Sequence, residues 1–221
     1  DDQWREWQRR PRIYNSDVQL VRSALPEGSR SAVDNENFIY AASQYARPRQ
    51  VQAVATEADY FAIKKFNVSN GRAFTAQEVT AGTRVIVLGV DVAEHFFPAL
   101  DPVGRELRIR GTPYSVIGVI EKQGSVFGFS LDRLAIAPVT TPLHRVIRPR
   151  GDHQQLIVQA ASPEMMREGI ESSREVVRAA RRLGPGRPDN FSLETPEGAM
   201  AFFAGIKEKL VIFGTALPAI G

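Results

Sequence analysis

Hydrophobic and polar positions alternate most regularly between Asn70 and Ile120, and the pattern there predicts two kinds of β-structure. Arg84–Leu88 is a compact run of β-branched and aliphatic residues followed by glycine, which is typical of a buried strand. Residues 106–110 alternate between apolar and charged side chains. The following Gly111-Thr112 offers a two-residue loop with glycine first, as a type II′ turn requires, before a second strand returns to Ile120. The stretch therefore predicts a buried strand and a rigid hairpin.

Helix starts are marked by capping residues at three places. Thr75, with Glu78 three residues later, has the spacing of a capping box. Asp91 stands where the N-cap of a second short helix is expected. Residues 162–164 (Ser-Pro-Glu) combine an N-cap serine, a proline at the first helical position and an acid in the first turn. Apolar residues then recur on one helical face until Gly184-Pro185-Gly186, so a long helix is predicted there.

The other periodic segments complete an α+β chain. Further strands are predicted at 31–45, 51–56, 134–139, 155–160 and 191–194, and further helices at 16–25, with Ser16 or Asp17 as N-cap, at 59–66 and from Thr195 onward. Strand and helix signals at both ends flank a strand-rich middle. We therefore predict a small α/β subdomain built from residues 1–57 and 152–209, with a β-rich subdomain, residues 58–151, inserted into it.

Composition excludes several functions. The 221 residues are 43% hydrophobic and 24% charged, as in ordinary globular proteins, and the net charge is only +3. No aromatic-and-basic motif accompanies that charge, so nucleic acid is not an expected partner. Because cysteine is absent, disulfides, thiolate metal sites and cysteine nucleophiles are excluded.

The C-terminal segment, residues 210–221, is apolar and follows Lys207 and Lys209. A membrane-spanning helix needs about 20 apolar residues, so this segment is too short to cross a bilayer as it stands. It is either the start of a truncated transmembrane helix or a helix packed on the core.

The chain offers little catalytic chemistry. The three histidines, His95, His144 and His153, do not have the spacing of metal ligands, and His95 is expected to be a half-buried structural residue. Neither a G-x-S-x-G nucleophile motif nor a phosphate-binding glycine loop is present. We therefore expect no catalytic residue, no cofactor and no metal ion in this chain.

Two segments could instead contact a partner. The glycine-rich residues 121–131 carry Phe127 and Phe129, which form either an interaction surface or a cover for the sheet. Arg145, Arg148 and Arg150 make a small basic loop, which we interpret as a solvated connector.

The ordered series VIVLGVDVAEHFFPALDPVGRELRIRGTPYSVIGVI resembles the extracytoplasmic core domain of MacB-like ABC transporter permeases, of the MacB/FtsX-type superfamily. The preceding VQAVATEADYFAIKKFNVSNGRAF is similar to the segment before it in that family. The resemblance is carried by structural positions, namely Gly71, Arg72, Gly89, Pro102, Gly104, Gly111 and Gly118. It covers residues 51–138 clearly and the remainder less closely.

The resemblance implies a mechanical function. In that family a porter-like α/β subdomain lies near the membrane and a β-rich subdomain is inserted into it. Such a domain would be on the periplasmic or extracellular face of the cell membrane, between two flanking membrane helices. The resemblance therefore favours residues 210–221 as the start of a truncated transmembrane helix. It would relay ATP-driven motion for export or release of a substrate. Implied partners are a permease dimer mate, an ABC ATPase subunit or domain that holds the ATPase activity, and a periplasmic adaptor or substrate protein.

Two other hypotheses remain open at this point. The chain could be a self-standing periplasmic ligand-binding or adaptor domain, which a thermal-shift ligand screen would reveal. A hydrolase with a dispersed site is the weaker third hypothesis.

Overall fold

The computed structural model describes residues 11–126 and 129–195 of the chain. The helices are α1 (Asn15–Ala24), α2 (Tyr60–Ile63), α3 (Ala76–Ala81), α4 (Val90–Phe96), α5 (Pro142–Ile147) and α6 (Pro163–Ala180). The strands are β1 (Arg30–Ala42), β2 (Arg49–Thr56), β3 (Val68–Gly71), β4 (Val85–Leu88), β5 (Glu106–Ile109), β6 (Thr112–Ile120), β7 (Ser125–Val126), β8 (Phe129–Ser130), β9 (Leu134–Pro138) and β10 (Gln155–Gln159). The predicted α+β class is confirmed by this mixture of helices and strands.

Eight strands form one mixed sheet, in the order β10-β1-β2-β9-β4-β6-β3, and β5 pairs with both β1 and β6. The pairing through β5 closes β1, β2, β9, β4, β6 and β5 into a ring of six strands. This closure is short, because β5 meets β1 only at Ala41 and Ala42. Strands β7 and β8 form a separate two-stranded hairpin.

Two apolar cores lie on the two faces of the sheet. One contains alternate residues of the ring strands, such as Ile39, Ile86 and Leu107, together with Phe96 from α4 and Leu143 from α5. The other is covered by α2 and α3 and holds an aromatic group, Tyr60, Phe61 and Phe74. The alternation of the strands explains both, because successive side chains enter opposite faces.

The predicted helix starts are partly confirmed. Thr75 and Glu78 make the expected capping box, in which each side chain accepts a hydrogen bond from the other residue's backbone amide, at 3.2 and 2.9 Å. Ser162 caps α6 by accepting a hydrogen bond from the Met165 amide at 3.2 Å.

Two predicted caps are wrong. The N-cap of α4 is Gly89, not Asp91, which lies in the first turn. Helix α1 begins at Asn15, after Tyr14, and Asp17 accepts a hydrogen bond from the Tyr14 amide instead of forming the N-cap itself.

The β5–β6 hairpin also corrects a prediction. Its loop is Arg110-Gly111, one residue earlier than predicted, because Ile109 pairs with Thr112. Both loop residues have positive φ, +52° and +83°, which defines a type I′ turn instead of type II′.

Residues 12–177 form one compact unit, and residues 178–195 belong to a second. Within the second, Arg178 donates hydrogen bonds to Asp189 and to the Gly184 carbonyl, which fixes the chain that follows α6. The strand predicted at 191–194 is wrong, since those residues are irregular. The predicted helix after Thr195 and the apolar residues 210–221 lie outside the described residues. The division into residues 1–57 plus 152–209 and residues 58–151 stays a prediction.

Candidate interaction surface

A close approach of two backbones lies where β3 pairs antiparallel with β6, at Gly71 opposite Gly118. A methyl group on Gly71 would lie 2.2 Å from the Ile117 carbonyl oxygen, and one on Gly118 would lie 2.4 Å from the Arg72 carbonyl oxygen. Gly71 also has a φ of +73°, which residues other than glycine rarely adopt. Both positions therefore require glycine for contact between backbones.

Arg72, the residue after β3, forms an ion pair with Glu78. Its guanidinium donates two hydrogen bonds to the Glu78 carboxylate, at 2.8 and 2.9 Å. The hydrogen bond from Arg72, with those from Thr75, outweighs partial burial and lowers the pKa of Glu78 to about 2. Glu78 thereby ties the end of β3 to the start of α3, and this is a structural role.

The other signature residues form turns. The Pro102 carbonyl accepts a hydrogen bond from the Arg105 amide at 3.1 Å, and the Gly104 amide donates to Val116 in β6 at 2.8 Å. Gly111 is the second residue of the β5–β6 turn. The structure thus places Pro102, Gly104 and Gly111 at the ends of the hairpin that the sequence pattern first indicated.

Gly89 lies at the base of the β7–β8 hairpin. A methyl group there would lie 2.2 Å from the Asp132 carbonyl oxygen. The buried carboxylate of Asp132 accepts hydrogen bonds from the amides of Gln123 and Gly124, at 2.7 and 3.0 Å. One side chain therefore holds the first strand of the hairpin to the sheet.

The interaction surface proposed at Phe127 and Phe129 stays a prediction. Phe127 lies outside the described residues. Phe129 is the first residue of β8, where its backbone pairs with Val126, and its side chain is not described. What the structure does show is the anchored base of the loop that carries them.

A buried polar cluster that the sequence analysis missed surrounds Asp152, whose side chain is 1% exposed. Its carboxylate accepts hydrogen bonds from Arg148 and, at 3.1 Å, from Arg12, which is 140 residues away in the chain. Burial by itself raises the pKa of Asp152, but the hydrogen bonds and charges of the arginines lower it further, so the net shift is downward. The interpretation of Arg148 as part of a solvated connector is wrong, because it pairs with this buried acid.

His153 and His144 stack beside Asp152, with ring centroids 5.0 Å apart. His153 Nε2 lies 2.8 Å from Asn15 Oδ1, and its Nδ1 lies 3.3 Å from the Asn35 amide nitrogen. This arrangement suits a neutral ring that donates from Nε2 and accepts at Nδ1. Burial lowers the pKa of both histidines, and for His153 the charge of His144 adds to the effect. All these groups are paired within the fold.

His95, in contrast, is half-buried on α4 and binds the Arg47 carbonyl at 3.0 Å. Across residues 11–126 and 129–195, no three histidine or acidic side chains are grouped to hold a metal ion.

The described surface carries shallow hollows, of which two lie near groups discussed above or below. One, of about 250 Å³, is lined by Asn37, Phe38, Ile39, Tyr40, Gln50, Arg110 and Val146. The other, of about 310 Å³, is lined mainly by arginine and proline around Asp152. Small-molecule sites are generally enclosed, mostly apolar clefts of about 300–1,000 Å³. These open hollows suit contact with a macromolecule better than enclosure of a small ligand.

In the described residues the buried polar groups considered above are paired with one another, and comparison with known proteins identifies the class of protein. Residues 2–175 match the model of the MacB-like periplasmic core domain, and the chain belongs to that family. It is a periplasmic core domain of an ABC transporter permease, a non-catalytic part of such proteins. Among the described residues, no helix has both the length and the apolar character needed to cross a membrane.

The relatives are transporter proteins several times longer. The chain is 30% identical over 138 residues to the macrolide export ATP-binding/permease protein MacB of Nitrobacter winogradskyi, covering 62% of this chain and 21% of that protein. It is 39% identical over 89 residues to the protein of the same name from Rhodospirillum rubrum, covering 39% and 14%. The chain therefore spans about a fifth or less of the length of these relatives.

Two solved structures share the fold. The extracellular domain of the noncanonic ABC-type transporter YknZ from Gram-positive bacteria superposes with a TM-score of 0.64 at 18% identity, over 77% of this chain and 85% of that one. The periplasmic region of MacB from Actinobacillus actinomycetemcomitans superposes with a TM-score of 0.62 at 16% identity, over 77% and 75%.

Proposed function

We propose that this chain relays ATP-driven motion of membrane helices to the periplasm, for export or release of a substrate. ATP would be hydrolysed by a nucleotide-binding domain or subunit outside this chain, and the domain would work beside the same domain of a dimer mate. The proposal is supported by the relatives, which are named macrolide export ATP-binding/permease proteins.

The observation that carries the proposal is the adjacency of the first and last elements of residues 12–177. Strand β10 pairs antiparallel with β1, from Arg30 opposite Gln159 to Asp34 opposite Gln155. Helix α6 lies against the end of α1, since a methyl group on Gly169 would lie 3.2 Å from Pro26. Motion passed to the two ends would therefore enter one edge of one sheet together.

The strand ring supports transmission of that motion. Because β5 joins β1 to β6, bending the sheet requires ladder hydrogen bonds on both sides of the ring to change. Packed interiors have low compressibility, so a displacement at β1 and β10 would be passed on with little deformation. Three further features stiffen the domain. They are the arginines paired with Asp152, the contact between Gly71 and Gly118, and the hairpin held by Asp132.

The proposal can be tested in the full-length ATP-binding/permease protein that contains this chain, reconstituted in lipid nanodiscs. The 221 residues contain no cysteine. With any cysteines elsewhere in the full-length protein replaced, one cysteine introduced at exposed Glu171 on α6 gives a unique spin-label site in each domain. Pulsed electron paramagnetic resonance then measures the distance between dimer mates without nucleotide and with ATP and vanadate.

We expect the distance distribution between mates to shift by several ångströms on nucleotide trapping. Labels at Gln77 and Arg108 within one copy, diluted with unlabelled protein, are the matched control, and their separation should stay constant because the domain moves as a body. An unchanged distance between mates in an actively hydrolysing sample refutes the relay.

A further inference from the structure

The outer edge of β1 contains a gap in strand pairing. Strand β10 covers this edge from Arg30 to Asp34, and β5 covers it at Ala41 and Ala42. Between them, residues 35–40 pair only with β2, on the inner side, among the strands that the structure describes. We call this uncovered stretch the β1 notch. At about 3.3 Å per residue it is roughly 20 Å long.

Every second residue of the notch directs its backbone amide outward, away from β2. Amides of an antiparallel strand alternate between its two neighbours. The Val33 amide and carbonyl bond to Glu57 and Thr56 on the β2 side, so the even-numbered residues direct their amides to the other side. The Glu36 amide there donates to the Gln154 side chain, and the Phe38 amide donates to the Asn37 side chain. Side chains thus cap donors that a strand would otherwise cover.

The side chains at the notch are unusually apolar for a solvated surface. Phe38 is 58% exposed and Tyr40 is 64% exposed, the two highest values among the large hydrophobic residues that the structure describes. Both stand on the same face, while Ile39 between them is buried in the core. Beside them lies the hollow of about 250 Å³ that also contacts Arg110 and Val146.

The notch contains one acid, Glu36, whose carboxylate accepts a hydrogen bond from the Gln52 side chain at 2.7 Å, and one exposed basic residue lies beside the notch. Arg110 lies in the hollow and is exposed, with no acidic partner among the described residues. A partner with an acidic side chain is therefore favoured electrostatically.

We propose that the β1 notch binds a short extended segment of a partner protein, which adds a strand of about four to six residues between β10 and β5. The segment would alternate apolar residues against Phe38 and Tyr40 and carry an acidic residue toward Arg110. Addition of a strand to an open sheet edge supplies backbone hydrogen bonds for affinity and side-chain contacts for specificity. This inference does not depend on ATP-driven relay.

Geometry favours a single strand over other occupants. A helix satisfies its own backbone groups and would leave the outward amides of the notch uncovered. A second copy of the domain cannot bring its own β1 edge into contact, because β10 and β5 project beyond the notch on both copies by about 4.8 Å, one strand spacing. Only a free segment enters the recess.

The probe is a displayed library of random peptides of roughly eight residues, selected on the chain and then synthesised singly. We expect selected peptides to combine alternating apolar residues with an acid. Arg110→Glu should weaken their binding about tenfold or more, as loss of a charge-assisted contact with added repulsion predicts. Leu100→Ala, at another exposed hydrophobic site, is the matched control and should bind as the wild type does.

Amide hydrogen exchange measured by NMR distinguishes the binding mode even where a variant folds poorly. With peptide bound to the wild-type chain, the amides of Phe38 and Tyr40 should exchange more slowly, while that of Ile39, already paired with β2, should not change. Phe38→Pro removes one outward donor without touching the β1–β2 ladder and should abolish binding.

Three outcomes overturn the proposal: no selected peptide responds to Arg110→Glu or Phe38→Pro, bound peptides leave the Phe38 and Tyr40 amides unprotected, or these amides become protected by raising the concentration of the chain alone. The last result would indicate a second copy as the occupant. None of these outcomes bears on the relay, which is measured by the distance between dimer mates.

Discussion

The pairing of β3 with β6 allows a test of why the glycines that carry the family resemblance are needed. Each is required either by close contact or by its backbone conformation. Gly71 combines both demands, with a φ of +73° and a methyl position 2.2 Å from the Ile117 oxygen. Gly118 is constrained only by close contact, since a methyl group there would lie 2.4 Å from the Arg72 carbonyl oxygen. Gly104 has only the conformation, a φ of +82° with no atom within 4 Å of its methyl position. Alanine at each position therefore separates the two effects.

The expected free energies follow from these distances. Positive φ costs an L-residue about 1–2 kcal/mol, partly offset by about 0.4–1 kcal/mol from the stiffer unfolded chain, so Gly104→Ala should cost about 1 kcal/mol or less. Crowding that shifts backbone costs about 1–3 kcal/mol. The Ile117 carbonyl cannot move freely, because it accepts the Arg72 amide at 2.9 Å, and losing that bond adds about 1 kcal/mol. Gly71→Ala should therefore cost about 2–5 kcal/mol, and Gly118→Ala about 1–3 kcal/mol before the same offset.

Urea unfolding followed by far-UV circular dichroism measures these costs. With a slope of about 2 kcal/mol per molar urea, Gly71→Ala should lower the midpoint by roughly 1–2.5 M, and Gly104→Ala by less than about 0.5 M. The reasoning is refuted if Gly71→Ala and Gly104→Ala differ by less than about 0.5 kcal/mol, since crowding would then contribute nothing.

Local signals in the sequence predicted much of the fold. The capping box at Thr75 and the start of α6 at Ser162 were predictable because each depends on residues within one helical turn. The hairpin loop was misplaced for a physical reason. Moving the loop from Gly111-Thr112 to Arg110-Gly111 changes the strand register by two residues, so Leu107 and Ile109 face the core either way. Alternation could not choose between these registers.

Long-range features could not be predicted. Arg12 and Asp152 meet only because β10 returns beside β1, and no pattern in either segment indicates the other. Alternation along β1 predicted a strand, but Ala32 and Phe38 lie on the same face, where the first is buried and the second exposed. Alternation of apolar and polar residues indicates which face of the sheet a side chain occupies. It does not indicate where the elements that pack on that face end. The resemblance to the permease family gave the family assignment, which local patterns could not give.

Three further predictions address helix capping, the hairpin and the buried cluster. Thr75→Ala should cost about 1 kcal/mol in urea unfolding by removing the cap of α3, while Gln77→Ala, exposed on the same helix, should be nearly neutral. Asp132→Ala should release the β7–β8 hairpin and accelerate tryptic cleavage after exposed Lys122; an unchanged rate would contradict the anchoring role. His153→Gln should flatten the dependence of stability on pH just below about pH 6.5, the ordinary histidine pKa.

The direction of that pH dependence follows from the buried cluster. Burial lowers the pKa of His153 and His144, so between about pH 6.5 and the folded-state pKa the unfolded chain binds more protons than the folded chain. Stability therefore falls as pH falls through that window, because a proton on His153 Nδ1 would face the donor amide of Asn35. Asp152, whose folded-state pKa is lowered, stabilises the fold above about pH 4 and loses that contribution below it, so it leaves the histidine window unaffected. Urea midpoints measured across the window should change less in His153→Gln than in the wild type, and Gln77→Ala, which removes no titratable group, is the control that retains the wild-type slope. An equal slope in both variants would show that the cluster does not couple protonation to folding.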